Sequence, residues 1–570
     1  MTSKEEVNFD SVFNALGWNG RYQIVQVGLV LLSSLPFAFH IMSIIFIGSY
    51  VPSQCKELND SSVLEDLVCR ADLSDFNLTY HECRISITSN KVDRGDRIEL
   101  SCIEGYRYEK PRELSLVSEW DIVCEKEGLS DLLQTLYMFG TGIGAILFTV
   151  VADRFGRKFS NVVAGMSFLV VGTGMAFIPT FVPFAVLRVL QGATQMGVSL
   201  TSTTLYLEIV PTEHRSKMSA CGTIMWSISI VTYAIAAYAM KDLGWRYHQL
   251  VVGLTSAYYI VVPWVLDESY RWLAANNMYD VIERNLKKAS RMNSKNENVI
   301  VNTFRDKVLS PRLHDNLPLL IHSSNGESVC CQHAANLLAK QQEKEERPFL
   351  QIFQDRQILT VSAIIWFIWL TDCITYYGLQ LNSTKFHSDK YIGFGLSAIT
   401  DVLASIMFWL TVDRFGRRRT CLVFHLIAGI SLIASVIFNN YKDKMPSFTV
   451  AGTTFSLVGK FAITTTFNLL WLYTPEIFPT KIRSVGFGLA SFAARIGGLL
   501  APFSRTLYRH YPWAPGSVFG TCCIVVTFLM PYLPETNNQE LPQTIREMKR
   551  SMTQQKETPK NKQKNLITGS

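Results

Sequence analysis

The chain has 570 residues, of which 48% are hydrophobic and 18% charged, and its formal net charge is +7. With a mean hydropathy of +0.16, it is too long and too apolar for one ordinary soluble domain. The positive charge does not indicate nucleic-acid binding, because lysine and arginine collect in particular loops rather than on one basic face. The composition therefore predicts a membrane protein.

Twelve stretches of roughly 20 mainly apolar residues follow one another, the length that a helix needs to cross ~30 Å of hydrocarbon. They are numbered spans 1 to 12. Their predicted bounds are 25–48, 129–152, 160–178, 183–210, 217–240, 247–266, 358–379, 392–412, 420–438, 449–474, 484–506 and 515–533. The first stretch is longer than the core of a signal peptide, so it is predicted to be retained. The predicted fold class is an all-α membrane protein of twelve transmembrane helices.

The charges of the loops predict the orientation. Lysine and arginine mark the cytoplasmic side of short loops, and they are dense after spans 2 and 8 and after residue 545. Both termini are therefore predicted to be cytoplasmic. The predicted regions are a cytoplasmic N-terminus 1–24, span 1 at 25–48, an extracellular loop 49–128, spans 2 to 6 at 129–266, a large cytoplasmic loop 267–357, spans 7 to 12 at 358–533 and a cytoplasmic tail 534–570.

The extracellular loop 49–128 is rich in cysteine and carries glycosylation acceptors. The disulfide candidates are Cys55, Cys69, Cys83, Cys102 and Cys124. Asn59 and Asn77 begin Asn-x-Ser/Thr sequences in this loop, and Asn382 begins another after span 7, close to the membrane. An oxidising compartment explains both features. At least two disulfides are predicted, with one cysteine free or paired elsewhere, because the number of cysteines is odd.

The chain repeats itself once, at nearly equal offsets. Asp153-Arg154-Phe155-Gly156-Arg157 after span 2 returns as Asp413-Arg414-Phe415-Gly416-Arg417 after span 8; Glu208 and Arg215 after span 4 return as Glu476 and Arg483 after span 10; Glu268, near Arg271 after span 6, returns as Glu535 after span 12. Every copy falls at the inner end of its span. Two six-helix halves of the same topology are typical of parallel-repeat transporters, whose substrate site lies between the halves near the midplane.

These repeated motifs also predict a mechanical role. A charged turn at the end of a span can bind the inner end of a neighbouring helix through ion pairs and helix-terminal carbonyls. Such contacts are expected to break and reform when the two halves rock. The alternative is that the charges only anchor the loops on the cytoplasmic side.

Several segments together resemble the major facilitator superfamily, and more narrowly its organic cation/anion/carnitine transporter family. They are Gly20-Arg21-Tyr22-Gln23, Glu119-Trp120-Asp121-Ile122-Val123-Cys124, Ala152 to Lys158, Glu268-Ser269-Tyr270-Arg271-Trp272-Leu273 and Pro475 to Arg483. The resemblance extends from residue 20 to residue 545. It implies a plasma-membrane carrier that works by alternating access. The chain departs from the family's usual six outer cysteines, replaces two prolines by Asp267 and Tyr270, and has Thr149 where a glycine is usual.

Three charged residues inside predicted spans stand out: Asp401 in span 8, Lys460 in span 10 and Arg495 in span 11. A charge at the bilayer centre costs ~2.5–3.5 kcal/mol on insertion scales, so it usually faces a cavity or a partner. The family resemblance implies that an acid at Asp401 is common, whereas Arg495 and Lys460 match basic residues of the anion and carnitine branches. An alternative is that Arg495 and Asp401, at equal depth, form a structural ion pair. An anion could also displace Asp401 from such a pair.

Aromatic side chains are the second part of the predicted substrate site. The candidates are Trp366, Trp369, Tyr376 and Tyr377 in span 7 and Tyr233 and Tyr238 in span 5. They could hold an ammonium or aromatic group by cation–π or stacking contacts. The alternative for each of them is a lipid-facing or interfacial position. Tyr376 and Tyr377 are favoured because the family commonly has aromatics there.

The sequence predicts a carrier of small organic ions that favours organic anions or zwitterions such as carnitine. An organic cation transporter is the alternative, and a sugar carrier or a non-transporting receptor on the same scaffold is less favoured. No arrangement of nucleophile, base and orienting group indicates an enzyme, and no metal ligands or cofactor are predicted. The predicted partners are the substrate and the lipid bilayer, without nucleic acid, and coupling to sodium or protons is left open.

Overall fold

The computed structural model describes residues 9–57, 76–89, 98–309, 352–441, 444–479 and 482–537, with the single residues 539, 542, 547 and 548. Cys69, Asn59, much of the large cytoplasmic loop and most of the C-terminal tail lie outside the described residues.

Every predicted span corresponds to a helical segment, and the span numbers are kept as names. The segments of the N-terminal half are Arg21–Leu31 with Ser34–Ile47 (span 1), Gly128–Phe155 (2), Arg157–Gly174 (3), Phe181–Ile209 (4), Arg215–Ala239 (5) and Trp245–Leu254 with the 3-10 turn Thr255–Ile260 and Val262–Val265 (6). Those of the C-terminal half are Arg356–Leu381 (7), Lys390–Phe415 (8), Arg417–Asn440 (9), Pro446–Ile477 (10), Arg483–Leu500 with Phe503–His510 (11) and Ala514–Leu529 (12).

Within the described part of the chain, nine helices are long and apolar enough to cross a bilayer on their own. A tenth results when the two pieces of span 11, bent by 41°, are taken together. Span 4 falls short because Arg188 and many glutamines, serines and threonines lower its hydropathy, and span 6 falls short because it is broken into short pieces. The total of twelve crossings stays a prediction.

Short helices cover the inner face of the N-terminal half. They are Asp10–Leu16, Tyr270–Ala275, Tyr279–Met292 and Glu297–Phe304. Phe9, Phe13, Tyr270 and Phe304 are all buried in one apolar cluster between these helices. The aromatic rings of Phe9 and Phe13 stack at 5.8 Å. Residues 9–16 and the described short helices that follow span 6 are thereby packed together.

The extracellular loop contains strands that the sequence analysis did not predict. They are β1 (Ser53–Cys55), β2 (Phe76–Tyr80), β3 (Arg84–Ser89), β4 (Ile98–Ser101) and β5 (Tyr106–Tyr108). Strand β1 pairs with β5, and β2, β3 and β4 form an antiparallel sheet in that order. Disulfides join Cys55 to Cys102 and Cys83 to Cys124. The prediction of at least two disulfides is confirmed, and Asn77 lies on β2.

Asn382, a glycosylation candidate, is buried in this structure. Asn382 follows the last residue of span 7, and its side chain is 7% exposed. Its amide donates hydrogen bonds to the carbonyl of Gly378 at 2.9 Å and to Ser504 Oγ at 3.0 Å. The side chain is thus engaged between spans 7 and 11, and glycosylation of Asn382 stays a prediction.

Spans 2 and 4 approach each other closely at glycines. A Cβ added to Gly144 would lie 2.2 Å from the carbonyl oxygen of Ala193, and one on Gly140 would lie 2.0 Å from that of Val189. Small residues permit this backbone contact between membrane helices, where packing rather than hydrophobic transfer drives association.

The two halves meet through span 2 against span 11 and span 5 against span 8. Between described residues, every hydrogen bond and ion pair joining the halves lies at the middle of the spans or toward their outer ends. Examples are Asp131 with Thr506 at 2.6 Å and Lys390 with Ser49 at 3.2 Å. The structure is therefore closed at the ends of the spans that are predicted to be extracellular.

The glycine contact gives a stability prediction with a matched control. Gly144→Ala should destabilise the protein by ~1–3 kcal/mol, because the new methyl group meets backbone that cannot move alone. Gly142 lies on a different face of the same helix, and a Cβ added there has no atom within 4 Å. Gly142→Ala should therefore be neutral or slightly stabilising, because alanine favours helix. Thermal unfolding of the purified variants in detergent measures both. Equal melting temperatures would contradict the proposed packing.

Candidate functional site between the two halves

Arg157 and Glu268 organise the inner end of the N-terminal half. Arg157 forms ion pairs with Asp153 at 3.1 Å and Glu208 at 3.8 Å. Glu268 accepts hydrogen bonds from the backbone N–H groups of Arg157 at 2.9 Å and Lys158 at 3.1 Å. These donors open span 3, where a helix dipole favours a carboxylate. Burial raises the pKa of Glu268, and the backbone donors oppose that rise.

The inner end of the C-terminal half carries the same network. Arg417 pairs with Asp413 at 3.2 Å and with Glu476 at 3.1 Å. Glu535 accepts from the backbone N–H groups of Arg417 at 2.7 Å and Arg418 at 3.2 Å. We call the two networks the inner latches. Each one links spans of a single half, so the internal repeat of the sequence is also a repeat of contacts.

A glycine is required in each inner latch. Gly156 and Gly416 have φ angles of +104° and +86°, which L side chains rarely adopt. A Cβ on Gly156 would lie 2.3 Å from the Glu268 carboxylate, and one on Gly416 would lie 2.8 Å from that of Glu535. The turn geometry and the close approach of the glutamate both explain why glycine occupies these positions.

The remaining motif residues have more varied positions. Arg154 and Arg414 are exposed. Arg271 lies 3.8 Å from Asp10 of the first short helix. Arg483 donates to the carbonyl of Phe478 at 3.2 Å, and Arg215 is the first residue of span 5. The prediction that these contacts break when the halves rock stays a prediction, because all of them lie within one half here.

Asp401 and Lys460 form a fully buried ion pair between spans 8 and 10. Lys460 Nζ donates to Asp401 Oδ2 at 3.1 Å and to the carbonyl of Ser397 at 3.2 Å. It also bonds to Gln380 Oε1 and to Ser397 Oγ. Thr464 donates to Asp401 Oδ1 at 2.9 Å. Both charges thus have the partners that burial in a low-dielectric interior demands.

Arg495 is not the partner of Asp401, so the ion pair considered from the sequence is wrong for this conformation. Its guanidinium donates to Thr141 Oγ1 at 2.9 Å in span 2 and contacts Met196 Sδ at 3.1 Å in span 4. The predicted pair of Arg495 and Asp401 does not form, because equal depth along two helices does not place two side chains on facing sides. Lys460 reaches Asp401 instead, from a turn farther along its helix. Arg495 therefore joins the halves without a carboxylate partner among the described residues.

Two of the predicted aromatic residues lie beside these charges. The Lys460 ammonium lies 5.7 Å from the centroid of the Tyr376 ring, and Tyr376 accepts a hydrogen bond from Trp226 Nε1 of the other half at 3.2 Å. Tyr377 packs against Tyr376 with ring centroids 5.2 Å apart. It interacts electrostatically with Arg495.

The other aromatic candidates are not brought to this place. Trp369 is buried and donates to Thr474 at 2.8 Å, and half-buried Trp366 packs against Phe353. Tyr233 is buried and contacts His248 Nε2 at 3.1 Å. Tyr238 is half exposed. Of the predicted substrate-site residues, the structure therefore brings five near one another where the halves meet: Arg495, Lys460, Asp401, Tyr376 and Tyr377.

Arg188 was missed in the sequence analysis although it lies inside predicted span 4. It is fully buried. It donates to the carbonyl of His40 at 3.3 Å, and its guanidinium lies 5.4 Å from the ring centroid of Phe184. Gln191 bonds to His40 Nδ1. The signal was an arginine within an apolar stretch, the same signal that singled out Arg495.

Asp372 of span 7 and His425 of span 9 were also missed. Both are fully buried, and His425 Nε2 lies 2.7 Å from Asp372 Oδ1. An aspartate within predicted span 358–379 could have been noted by the rule applied to Asp401. Among the described residues, no group of three or more His, Cys, Asp or Glu side chains is placed to hold a metal ion.

Comparisons with known proteins agree with this architecture. The sequence model of the Major Facilitator Superfamily matches residues 127–502. The chain is 27% identical to solute carrier family 22 member 6 of Pseudopleuronectes americanus, covering 98% of this chain and 99% of that protein. It is 28% identical to the organic cation transporter-like protein of Drosophila melanogaster, covering 95% and 92%.

Solved structures show the same fold. The xylose transporter XylE from E. coli, in a partially occluded inward-open conformation, has a TM-score of 0.57 and 14% identity, covering 91% of this chain and all of that one. The structure of the proton:xylose symporter XylE with 6-bromo-6-deoxy-D-glucose has a TM-score of 0.56 and 16% identity, covering 91% and 98%. At these identities the likeness concerns the fold alone.

The buried ion pair gives a prediction about stability. Asp401→Ala should cost ~3–5 kcal/mol, because it leaves the Lys460 ammonium buried without a countercharge. The double variant Asp401→Ala with Lys460→Met should recover much of this loss, since both charges are then absent. Thermal unfolding of the two variants in detergent gives the difference.

The exposed pair of Arg291 and Glu297 on the cytoplasmic side provides the control. Arg291→Ala should leave the melting temperature unchanged, because exposed pairs contribute little. If the double variant is no more stable than Asp401→Ala, the unpaired charge of Lys460 is not the cause of the lost stability.

Proposed function

Since the chain belongs to the major facilitator superfamily, we propose that it carries a small organic anion or zwitterion, such as carnitine, across the plasma membrane by alternating access. The substrate lies between the halves, with its negative group on Arg495. Tyr376 and Tyr377 line the same place. The relatives of solute carrier family 22, similar over nearly the whole chain, support a carrier of organic ions.

The unpaired charge of Arg495 is the observation that carries the proposal. Asp401 neutralises Lys460, so Arg495 is left as the net positive charge of this group. Its neighbours Thr141, Met196 and Tyr377 belong to interior faces of the bundle. Arg495 therefore lies where the two halves meet. Its planar guanidinium suits a carboxylate, which it binds with two parallel hydrogen bonds.

Aromatic groups beside this charge favour a zwitterion as well as a simple anion. Tyr376 already lies close to an ammonium, that of Lys460, and Tyr377 adds a second ring. A ligand ammonium is attracted to a ring face in the same way. A molecule with a carboxylate and an ammonium could thus contact Arg495 and the tyrosines together.

The distribution of contacts between the halves supports alternating access. Polar contacts at the outer ends, such as Asp131 with Thr506, close the extracellular side. The inner latches hold each half as a unit. A rigid-body rocking of the halves around a midplane site is the motion that this arrangement favours.

An organic cation is the second candidate substrate, because Asp401 lies in the same group and the relative from Drosophila melanogaster is named an organic cation transporter-like protein. This candidate is weaker, since Lys460 already occupies the Asp401 carboxylate. A sugar carrier needs no intramembrane cation. A receptor that does not transport is distinguished by the absence of saturable uptake.

Uptake into cells that lack an endogenous carrier tests the proposal. Radiolabelled carnitine, glutarate, salicylate and tetraethylammonium should be compared, with rates normalised to protein at the surface. We expect saturable uptake of at least one carboxylate above that of tetraethylammonium. Preferential uptake of tetraethylammonium would replace the anion proposal with the cation one, and no uptake of any probe would favour the receptor.

Arg495→Ala should reduce uptake of the accepted carboxylate about tenfold to a hundredfold, because a charge-assisted hydrogen bond contributes ~1.5–3 kcal/mol. Arg495→Lys should retain part of the activity with a raised KM, since lysine keeps the charge but not the planar fork. Arg284→Ala, which removes an exposed cytoplasmic arginine, is the matched control. Normal KM in surface-expressed Arg495→Ala would contradict the assignment.

A further inference from the structure

Asp372 and His425 form a second buried charged group, separate from the one around Arg495. Asp372 lies in the middle of span 7 and His425 in span 9, and neither side chain is exposed. The two are joined by one hydrogen bond of 2.7 Å between His425 Nε2 and Asp372 Oδ1. The other oxygen, Asp372 Oδ2, accepts no hydrogen bond from the described residues. A carboxylate with only half its hydrogen-bonding capacity used is costly in a dry interior.

The geometry determines how many protons the pair holds. His425 Nδ1 lies 2.9 Å from the carbonyl oxygen of Cys421 and 3.4 Å from the thiol of the same residue. Because the shorter contact is to a carbonyl, which can only accept, we assign a proton to Nδ1. A hydrogen bond between Nε2 and Asp372 then needs one more proton, either on the ring or on the carboxyl group. Without it, a ring lone pair and a carboxylate would face each other at 2.7 Å. In this conformation the pair therefore holds one titratable proton, shared between Nε2 and Asp372, in addition to the proton on Nδ1.

Among the described residues, the groups that face the pair supply no second charge that would replace this proton; on the helix of Asp372 the titratable neighbour is Cys373. On the helix of His425 the titratable neighbour is Cys421, and from span 12 it is Cys523. Toward the inner end, Glu535 of the inner latch acts on Cys421. From span 10, Tyr473 interacts electrostatically with Cys421. Its hydroxyl donates a hydrogen bond to the carbonyl of Pro534 at 2.5 Å.

Each proton state of the pair has a different net charge. With the shared proton the pair is neutral, whether the proton is on His425 or Asp372. Loss of the proton leaves one negative charge buried among spans 7, 9 and 12, which costs several kcal/mol unless water or a rearrangement relieves it. Proton release is thus tied to a change in the packing of these spans.

We propose that Asp372 and His425 form a proton-binding site that couples proton movement to substrate movement in this carrier. Span 7 connects the two sites. Asp372 and Tyr376 are one helical turn apart, and Tyr376 contacts Trp226 of the other half and lies beside Lys460. A shift of span 7 that opens the pair to water therefore also moves the wall of the proposed substrate site. In each cycle one N–H or O–H bond of the pair is broken and remade, with water as the proton donor and acceptor.

The coupling rests on the proposed transport function, so one arm of the test is independent of any substrate. Infrared difference spectra of purified protein between pH 5 and pH 8 should show bands of a buried carboxyl group or imidazole that titrates. These bands should be lost in Asp372→Asn, whose amide can donate to neutral His425 without carrying an exchangeable proton, and in His425→Gln. They should persist in Asp280→Asn, which changes an exposed cytoplasmic aspartate. Identical spectra of wild type and Asp372→Asn would overturn the proton site.

The second arm measures coupling in proteoliposomes with the carboxylate probe accepted in the uptake panel. A pH gradient imposed in one of the two directions should drive accumulation, up to about tenfold per pH unit for one coupled proton, and a protonophore should abolish it. Asp372→Asn should lose this response yet exchange labelled for unlabelled probe at a normal rate. A structural role alone would lower both rates together.

The two arms separate the possible failures. Saturable uptake that ignores a pH gradient in both directions overturns the coupling and leaves the proposed function intact. Absence of uptake for every probe overturns the proposed function, while the infrared spectra still decide whether Asp372 and His425 bind a proton. Retention of gradient-driven accumulation by both Asp372→Asn and His425→Gln also overturns the inference.

Discussion

The cost of placing a charge in hydrocarbon is the constraint on which the interior of this protein depends. Asp401 and Lys460 meet it by neutralising each other within a shell of hydrogen bonds. Asp372 and His425 meet it by sharing a proton. Arg495 meets it only in part, with a hydroxyl and a sulfur as neighbours. Because Arg495 has no carboxylate partner among the described residues and lies where the halves meet, its charge suits a substrate of opposite charge.

The internal repeat gives this interior its frame. Each inner latch ties the charged turn after one span to the ends of two others, with an arginine, two glutamates and a glycine in equivalent places. The charged substrate candidates do not follow the repeat, since Asp401, Lys460 and Arg495 all lie in the C-terminal half. Duplication thus explains the two inner latches. The charged residues proposed to bind the substrate lie in one half only, and Arg495 contacts the other half through Thr141 and Met196.

Apolar length was sufficient to predict the helical segments, and repeated motifs were sufficient to predict the two halves. The partner of Asp401 could not be predicted, because depth along a helix gives no information on which face a side chain occupies. Lys460 has a long side chain and reaches down from a higher turn, while Arg495 turns toward span 2. His425 escaped notice because a single histidine in an apolar stretch acquires meaning only beside Asp372. Burial of Asn382 depends on Ser504, far away in sequence.

The contacts that close the extracellular side differ in kind from those at the centre. Arg509 pairs with Glu127, and both side chains are partly exposed; Lys390 and Ser49 are likewise polar partners at the outer end. Ions in the surrounding fluid screen such exposed charges but hardly reach the buried pair of Asp401 and Lys460. The ionic strength of the extracellular medium thus acts on the closure of the outer face separately from the chemistry of the site beneath it.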